Sequence, residues 1–332
     1  GLGDVYKRQV SLTRALTSDG KEWRGLKRRK GAPIWHLGIT DLDPQLAIRD
    51  RYTAIFARKA PHLRDQGVNQ VRSMLTSCLP SITPPITLPE LLAPCAAWKS
   101  GSSPGPDRIT YQHLKMALKD QGRSEDQLQM MNEALQTATV PATWLDSTTT
   151  LLPKHPTPSS WAETRPITLT NTLGKWMSQI LLPRLPQLIP PPLQPQFAAK
   201  GKTSLQAAAL IRRMLQKVHE WEEPLLLLKL DIRKAFDSAS QPGIAQLLYE
   251  RLGREAPREA LILLDMVQTE RITLCFLGEQ VAIPQTNGVR QGSPESPVLF
   301  AASVGDCHPP LHSCEDHLPG CGLQFMDDAY LW

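Results

Sequence analysis

The sequence has no long hydrophobic run. No stretch of about 18 consecutive apolar residues occurs in its 332 residues, so a transmembrane helix is not expected. The N-terminus lacks the charged-then-apolar pattern of a secretory signal, which favours an intracellular, thiol-reducing setting. The six cysteines form no CxxC pair, so the sequence indicates neither a disulfide framework nor a standard zinc spacing.

A chain-wide excess of positive charge is also missing, although the net charge is +5. Residues 1–30 hold nine Lys/Arg against three Asp/Glu, whereas the rest of the chain holds 28 against 29. Composition therefore does not predict a globally basic nucleic-acid binder, and any basic groove must be local. The KRRK run at 27–30 suits either a solvated linker or a phosphate-binding arm.

Both ends of the sequence are unusual. Residues 1–9 include DVYKRQ at 4–9, which resembles a translated sequencing adapter, and we exclude them from fold reasoning. The chain also stops inside a predicted hairpin. We therefore expect a fragment of a longer open reading frame.

Apolar periodicity predicts a mixture of helices and strands. Helices are expected near 44–78, 90–98, 110–119, 127–137, 174–185, 203–221, 242–253, 257–269 and 295–304, and strands near 145–152, 165–169, 225–231, 271–277 and 280–283. The apolar run 225–230 predicts a buried central strand with Asp231 at its end. The helix from 203 is expected to bury an apolar side formed by Leu205, Ala209, Met214, Leu215 and Val218.

Three carboxylates are candidates for one metal site. Asp327 and Asp328 lie between two short apolar runs, which predicts the turn of a hairpin. An isolated Asp-Asp pair is more often a solvated turn, but Asp231 at a strand end could meet it at one edge of an antiparallel sheet. Grouped carboxylates of this kind hold two Mg²⁺ ions, and two such ions promote in-line phosphoryl transfer.

Six motifs occur in an order and spacing that resemble the reverse transcriptases of non-LTR (LINE-type) retrotransposons. The motifs are SPGPD at 103–107, RPITLTN at 165–171, the segment 196–204, LDIRKAFD at 230–237, GVRQGSP at 288–294 and FMDD at 325–328. The sequence departs from the family pattern at Arg108, Ser293, Glu295 and 198–200. The expected metal ligands are intact.

The resemblance implies roles for the carboxylates. Asp231 and Asp327 would be the principal ligands of two Mg²⁺ ions, with Mn²⁺ as a possible substitute, and Asp328 would complete the acidic turn. Asp237 follows the first catalytic motif and is expected to orient local backbone rather than join the catalytic core.

The resemblance also implies residues that bind the incoming dNTP. Lys154 and Arg165 resemble the cations that grip the triphosphate, although a surface role for each stays open. Phe236 resembles a steric gate against the 2′-OH of an NTP, with a plain core aromatic as the alternative. Gln291 and Gly292 resemble the pair that flanks the nascent base pair, with a simple turn as the alternative.

The implied fold class is α+β, a palm-and-fingers polymerase fold with an antiparallel palm sheet backed by helices, truncated before the thumb. The expected organisation is an adapter at 1–9, a linker and N-terminal helical region at 10–98, helical fingers with the start of the palm at 99–222, and a palm at 223–332.

The implied function is RNA-directed DNA synthesis, with template RNA, primer or target DNA and dNTPs as partners and the nucleus as the expected location. An intron-encoded maturase-type reverse transcriptase and a decayed element that only binds RNA are the alternatives. The Cys/His-rich segment 307–321 matches no established zinc spacing, and we expect an irregular loop there.

Overall fold

The structure is a computed structural model. It describes residues 39–41, 43–57, 61–80, 82–99, 101–188, 203–222, 225–232, 234–268, 271–276, 279–307, 322–325 and 328–331.

Helices account for most of the regular structure. They are α1 (Pro44–Phe56), α2 (Pro61–Ser77), α3 (Leu88–Leu92), α4 (Tyr111–Ala117), α5 (Gln121–Thr137), α6 (Ala142–Leu145), α7 (Thr172–Leu181), α8 (Ser204–Trp221), α9 (Ala235–Ser238), α10 (Gln241–Leu252), α11 (Pro257–Val267) and α12 (Glu295–Cys307). Short 3₁₀ turns occur at Ala93–Ala97, Trp161–Glu163, Leu182–Arg184 and Pro186–Leu188.

The strands form two sheets. They are β1 (Ser147–Pro153), β2 (Thr164–Thr170), β3 (Leu228–Asp231), β4 (Arg271–Phe276), β5 (Glu279–Pro284), β6 (Gly322–Phe325) and β7 (Asp328–Leu331). The first sheet has the order β2-β1-β4-β5, with β1 and β4 parallel and its other pairs antiparallel. The second has the order β3-β7-β6 and is antiparallel throughout. The expected α+β class is confirmed.

Several helices begin where the sequence supplies a capping side chain. The Thr203 hydroxyl accepts from the backbone N–H of Gln206, whose own side chain returns a contact to the Thr203 N–H. The same reciprocal box opens α3 at Thr87 with Glu90. These contacts satisfy N–H groups that have no partner inside the helix, which fixes the first residue of each helix.

Helix α11 forms the centre of the core and is buried on nearly every side. Leu261, Leu264 and Val267 pack into one apolar cluster with residues of α2, α10 and α12. Ile262 and Met266 pack into a second cluster with α3, α5 and α7. The continuous apolar sequence of α11 is therefore explained by two helical layers that meet on it.

A third apolar cluster lies between α1 and the four-stranded sheet. Tyr52 and Phe56 of α1 pack over Leu151, Leu274 and residues of β5. The sheet joins strands from the segments 99–222 and 223–332, so α1 covers a surface built by both. The N-terminal helices are thus part of the same core as the strands.

Two expectations about burial were wrong. The run 225–231 forms a strand only from Leu228, all four strand residues are exposed, and β3 is an edge strand among the strands that the structure describes. In α8, Leu205 is 77% exposed and Leu215 46%, while Ala207 is its one buried residue. The strand prediction assumed a cover on both faces and the helix prediction a cover on one, and periodicity alone cannot establish either.

Within the described part of the chain, no helix combines the length and apolar character needed to cross a lipid bilayer.

Two tryptophans provide a test of the core. Trp176 of α7 is fully buried and donates from Nε1 to the Leu91 carbonyl at 3.0 Å, whereas Trp221 is 61% exposed. We expect Trp176→Ala to lower the free energy of unfolding by about 3–5 kcal/mol because it leaves a cavity and removes the indole hydrogen bond to the Leu91 carbonyl. The matched Trp221→Ala should cost less than about 1 kcal/mol. Chemical unfolding of both variants checks this, and equal losses would contradict the described core.

Candidate active site

The acidic site begins with the register of β3 against β7. Asp231, the last residue of β3, is the direct Cα partner of Asp328, the first residue of β7. Directly opposite positions of an antiparallel pair share one face of the sheet, and like charges there are destabilising unless a cation offsets them. The Asp231 side chain is exposed. Two of the three predicted ligand positions therefore meet at one end of this sheet, and their oxygen donors suit a hard divalent cation.

Other predicted features fall outside the described residues. Asp327 is one of them, as are 196–202 of the second core motif and 308–321 of the Cys/His-rich segment. The hairpin prediction itself is confirmed on both sides of Asp327, because β6 and β7 pair antiparallel with Phe325 opposite Asp328.

Phe236 lies on the short helix α9, five residues after Asp231. Its ring stacks on Phe300 of α12, with ring centroids 5.0 Å apart and an interplanar angle of 21°. Phe300 is fully inside the core, whereas Phe236 is half-buried at its edge. Phe236 therefore combines a packed face with a partly accessible one, so the core and gate interpretations of this residue do not exclude each other.

The loop 285–293 carries the RQG motif, and its residues 285–290 are buried although most of them are polar. Thr286 and Asn287 donate their backbone N–H groups to the Phe56 carbonyl at 2.8 and 3.2 Å. The Asn287 side chain donates to the carbonyls of Ile55 and Asp237 at 3.0 and 2.6 Å. These bonds join the C-terminus of α1 to the loop, so the N-terminal helices help to shape the candidate site.

Gln291 and Gly292 lie against strand β2. The Thr168 backbone N–H donates to the Gln291 carbonyl at 2.7 Å. Gly292 has φ of 121°, and a Cβ there would lie 2.5 Å from the Thr168 carbonyl oxygen. Glycine is therefore required for both conformation and space. The structure brings these two predicted residues to the β2 backbone.

The side chain of Gln291 contacts Asp237, which the sequence was expected to use for orienting local backbone. Its Nε2 donates to Asp237 Oδ1 at 2.8 Å, and Asp237 is only 6% exposed. The two residues are separated by 54 positions, and no local pattern signals such a pair. The AFD tripeptide at 235–237 was the available signal, because its carboxylate lies shortly after the end of β3.

Lys154 and Arg165 lie at the loop end of the β1–β2 hairpin. Arg165 is opposite Leu152 in the register, and both cations are exposed. The Lys154 Nζ donates to the Ala162 carbonyl at 3.1 Å, and its backbone N–H donates to Glu163 at 2.8 Å. The hairpin thus brings both cations to one end, and their role in nucleotide binding stays a prediction.

A buried charge cluster lies behind the RQG loop. Glu295, one of the departures from the family pattern, accepts from the Ser178 hydroxyl at 2.8 Å. Burial lowers the pKa of Lys175 to about 8, while Asp107 and Glu295 act to raise it. Burial also lowers the pKa of Arg290, which donates to the Leu145 carbonyl at 3.1 Å. Glu295 therefore supplies negative charge beside two buried cations, which accounts for a carboxylate at this position.

The α1 helix also reaches strand β2 through a buried hydroxyl pair. Tyr52 Oη and Thr164 Oγ1 are 2.7 Å apart. Burial raises the pKa of Tyr52 to about 12, with the Asp237 carboxylate adding to the effect. The phenol therefore stays protonated and able to form this bond at neutral pH.

Comparison with known proteins agrees with these features. The family model described as "Reverse transcriptase (RNA-dependent DNA polymerase)" matches residues 152–332. The chain is 30% identical over 264 residues to the retrovirus-related Pol polyprotein from type-1 retrotransposable element R2 of Popillia japonica, covering 74% of this chain and 34% of that protein. It is 29% identical over 206 residues to the retrovirus-related Pol polyprotein from type-2 retrotransposable element R2DM of Drosophila melanogaster, covering 60% and 18%.

The chain thus spans about a third of the first relative and under a fifth of the second. The family match covers more than half of the chain and includes the strands and loops that carry Asp231, Asp328, Gln291 and Gly292. The chain therefore belongs to the reverse transcriptase family, as a reverse transcriptase domain of the non-LTR (LINE-type) retrotransposon class.

Proposed function

We propose that this chain carries out RNA-directed DNA synthesis, adding dNTPs to a primer 3′-OH. The observation that carries the proposal is the register that sets Asp231 opposite Asp328 at one end of the three-stranded sheet. Membership of the reverse transcriptase family supports it. In this proposal 223–332 forms the palm, 99–222 the fingers with the start of the palm, and the helices α1 to α3 of the N-terminal region support both.

Reverse transcriptases generally use divalent metal ions, and the carboxylate donors of this site fit such an ion. Asp231, Asp327 and Asp328 would hold it, with two Mg²⁺ ions as the preferred occupants and Mn²⁺ as an alternative. When bound, two such ions stabilise the attacking and leaving oxygens of an in-line displacement. The role of the chain is to bring Asp231 and Asp328 to adjoining strand ends, where the mutual repulsion of their carboxylates favours a divalent cation.

The remaining predicted residues would bind the nucleotide. Lys154 and Arg165, exposed together at the end of the β1–β2 hairpin, would offset the charge of the triphosphate. Phe236 would exclude a 2′-OH with its accessible face, while its other face packs on Phe300. Gln291 and Gly292 would lie along the nascent base pair, where β2 and the loop 285–293 approach each other.

The proposed partners are template RNA and DNA that supplies the primer end. Similarity to two retrotransposable-element polyproteins supports an element-encoded enzyme over an intron-encoded one. An element that copies RNA onto chromosomal DNA acts where that DNA is, so we propose a nuclear location.

The acidic site gives the first functional test. In the full polypeptide that carries this chain, we expect Asp231→Asn to lower dNTP incorporation on an RNA template by about a hundredfold or more, because the loss of one charged ligand removes several kcal/mol of transition-state stabilisation. Primer extension measures this. RNA binding, measured in parallel, should be retained.

The matched control is Asp126→Asn on the exposed face of α5, which should extend primers as the unaltered protein does. Undiminished synthesis by Asp231→Asn would contradict the proposal. Absence of synthesis by the unaltered protein together with intact RNA binding would favour an element that only binds RNA.

Phe236 gives a second test, which separates gating from packing. We expect Phe236→Val to raise the incorporation of rNTPs relative to dNTPs, because the smaller side chain leaves room for a 2′-OH. Phe300→Leu loosens the same stacked pair from the core side and should lower stability without changing sugar selectivity. Competition between dNTPs and rNTPs in primer extension checks both variants. An equal change of selectivity in the two would refute a gate at Phe236.

A further inference from the structure

The segment 236–241 and the loop 285–293 are joined along their backbones. The N–H of Val289 donates to the Phe236 carbonyl at 2.8 Å, and that of Gly288 donates to Ala239 at 2.7 Å. On the other side, the Gln241 amide donates to the Gly288 carbonyl at 3.2 Å. The two segments therefore form one unit, although they are distant in sequence.

Asp237 lies where the segment 236–241 passes close to the loop 285–293. A Cβ on Gly288, whose φ is 88°, would lie 3.0 Å from the Asp237 carbonyl oxygen. That oxygen accepts from the Asn287 side chain at 2.6 Å. The backbone of Asp237 is thus bonded to the loop, and this bond fixes the position of the Cα atom from which its carboxylate side chain extends.

The carboxylate of Asp237 determines which way the Gln291 amide faces. A carboxylate only accepts hydrogen bonds, so the amide must turn its NH₂ group toward Oδ1, at the observed 2.8 Å, and its Oε1 away. The Gln291 backbone is fixed independently by the bond from Thr168. A side chain held at both ends adopts one orientation, and the bond to a charged, buried acceptor is stronger than a neutral one.

We propose that Asp237 is a positioning residue that presents the Gln291 amide to the nascent base pair and thereby sets the affinity for the incoming dNTP. This role rests on the proposed function. Asp237 acts through Gln291 and has no contact with the reacting atoms. Loss of the bond frees the Gln291 side chain to rotate, so nucleotide binding weakens more than the chemical step slows.

The test compares variants of the full polypeptide in steady-state primer extension on an RNA template. We expect Asp237→Ala to raise KM for dNTP by about tenfold or more with a smaller change in kcat, since a bond to a charged group is lost. Asp237→Asn keeps an oxygen acceptor and should restore a KM close to that of the unaltered protein. If Asp237→Ala does not fold, thermal unfolding of Asp237→Asn shows whether that variant still does.

A double-mutant cycle shows whether the effect passes through Gln291. The Asp237→Ala/Gln291→Ala protein should have the KM of Gln291→Ala alone, because the acceptor is irrelevant once the amide is gone. Gln241→Ala, which removes a different bond to the same loop, should lower the melting temperature and leave KM near the unaltered value.

Additive effects in the cycle would overturn the role of Asp237, as would equal KM increases in Gln241→Ala and Asp237→Ala or a failure of Asp237→Asn to restore KM. These results presuppose synthesis by the unaltered protein. Complete absence of that synthesis would overturn the proposed function as well.

Discussion

The structure depends on the burial of a polar loop. Residues 285–290 are buried, and a buried backbone must satisfy every N–H and carbonyl group or lose stability. Their partners come from several places: the C-terminus of α1, the segment after β3, and strand β2. Since each partner belongs to a different element, the loop fixes those elements relative to one another and to the acidic sheet end.

Hydrophobic packing acts around this polar junction. Helix α11 brings two helical layers together, and α1 covers the four-stranded sheet. Phe236 and Phe300 extend the first layer to the edge of the candidate site. The apolar core and the polar loop therefore meet at Phe236 and Asp237, adjacent residues that face different environments. This arrangement explains why the AFD tripeptide combines a ring with a carboxylate.

Local sequence signals predicted much of this architecture. The β6–β7 hairpin, the strands β1, β2, β4 and β5 and the helix from 203 were predicted correctly, because turn residues and capping side chains act within a few positions. The acidic strand end at Asp231 was correct for the same reason. Local signals failed where distant parts of the chain decide the outcome. The exposure of β3 depends on which distant elements pack against it. The contact between Asp237 and Gln291 joins residues 54 positions apart.

The bonds from α1 to the loop 285–293 determine how much of the chain is needed to satisfy the buried polar groups of that loop. The family match begins at residue 152, yet Thr286 and Asn287 within it depend on the Phe56 carbonyl, and Gln285 accepts from Arg64 of α2 at 2.8 Å. A polypeptide limited to the matched region would contain every recognised motif and still leave two buried amides and a buried carbonyl without these partners. The region that the family model matches is therefore smaller than the unit that satisfies its own buried polar groups.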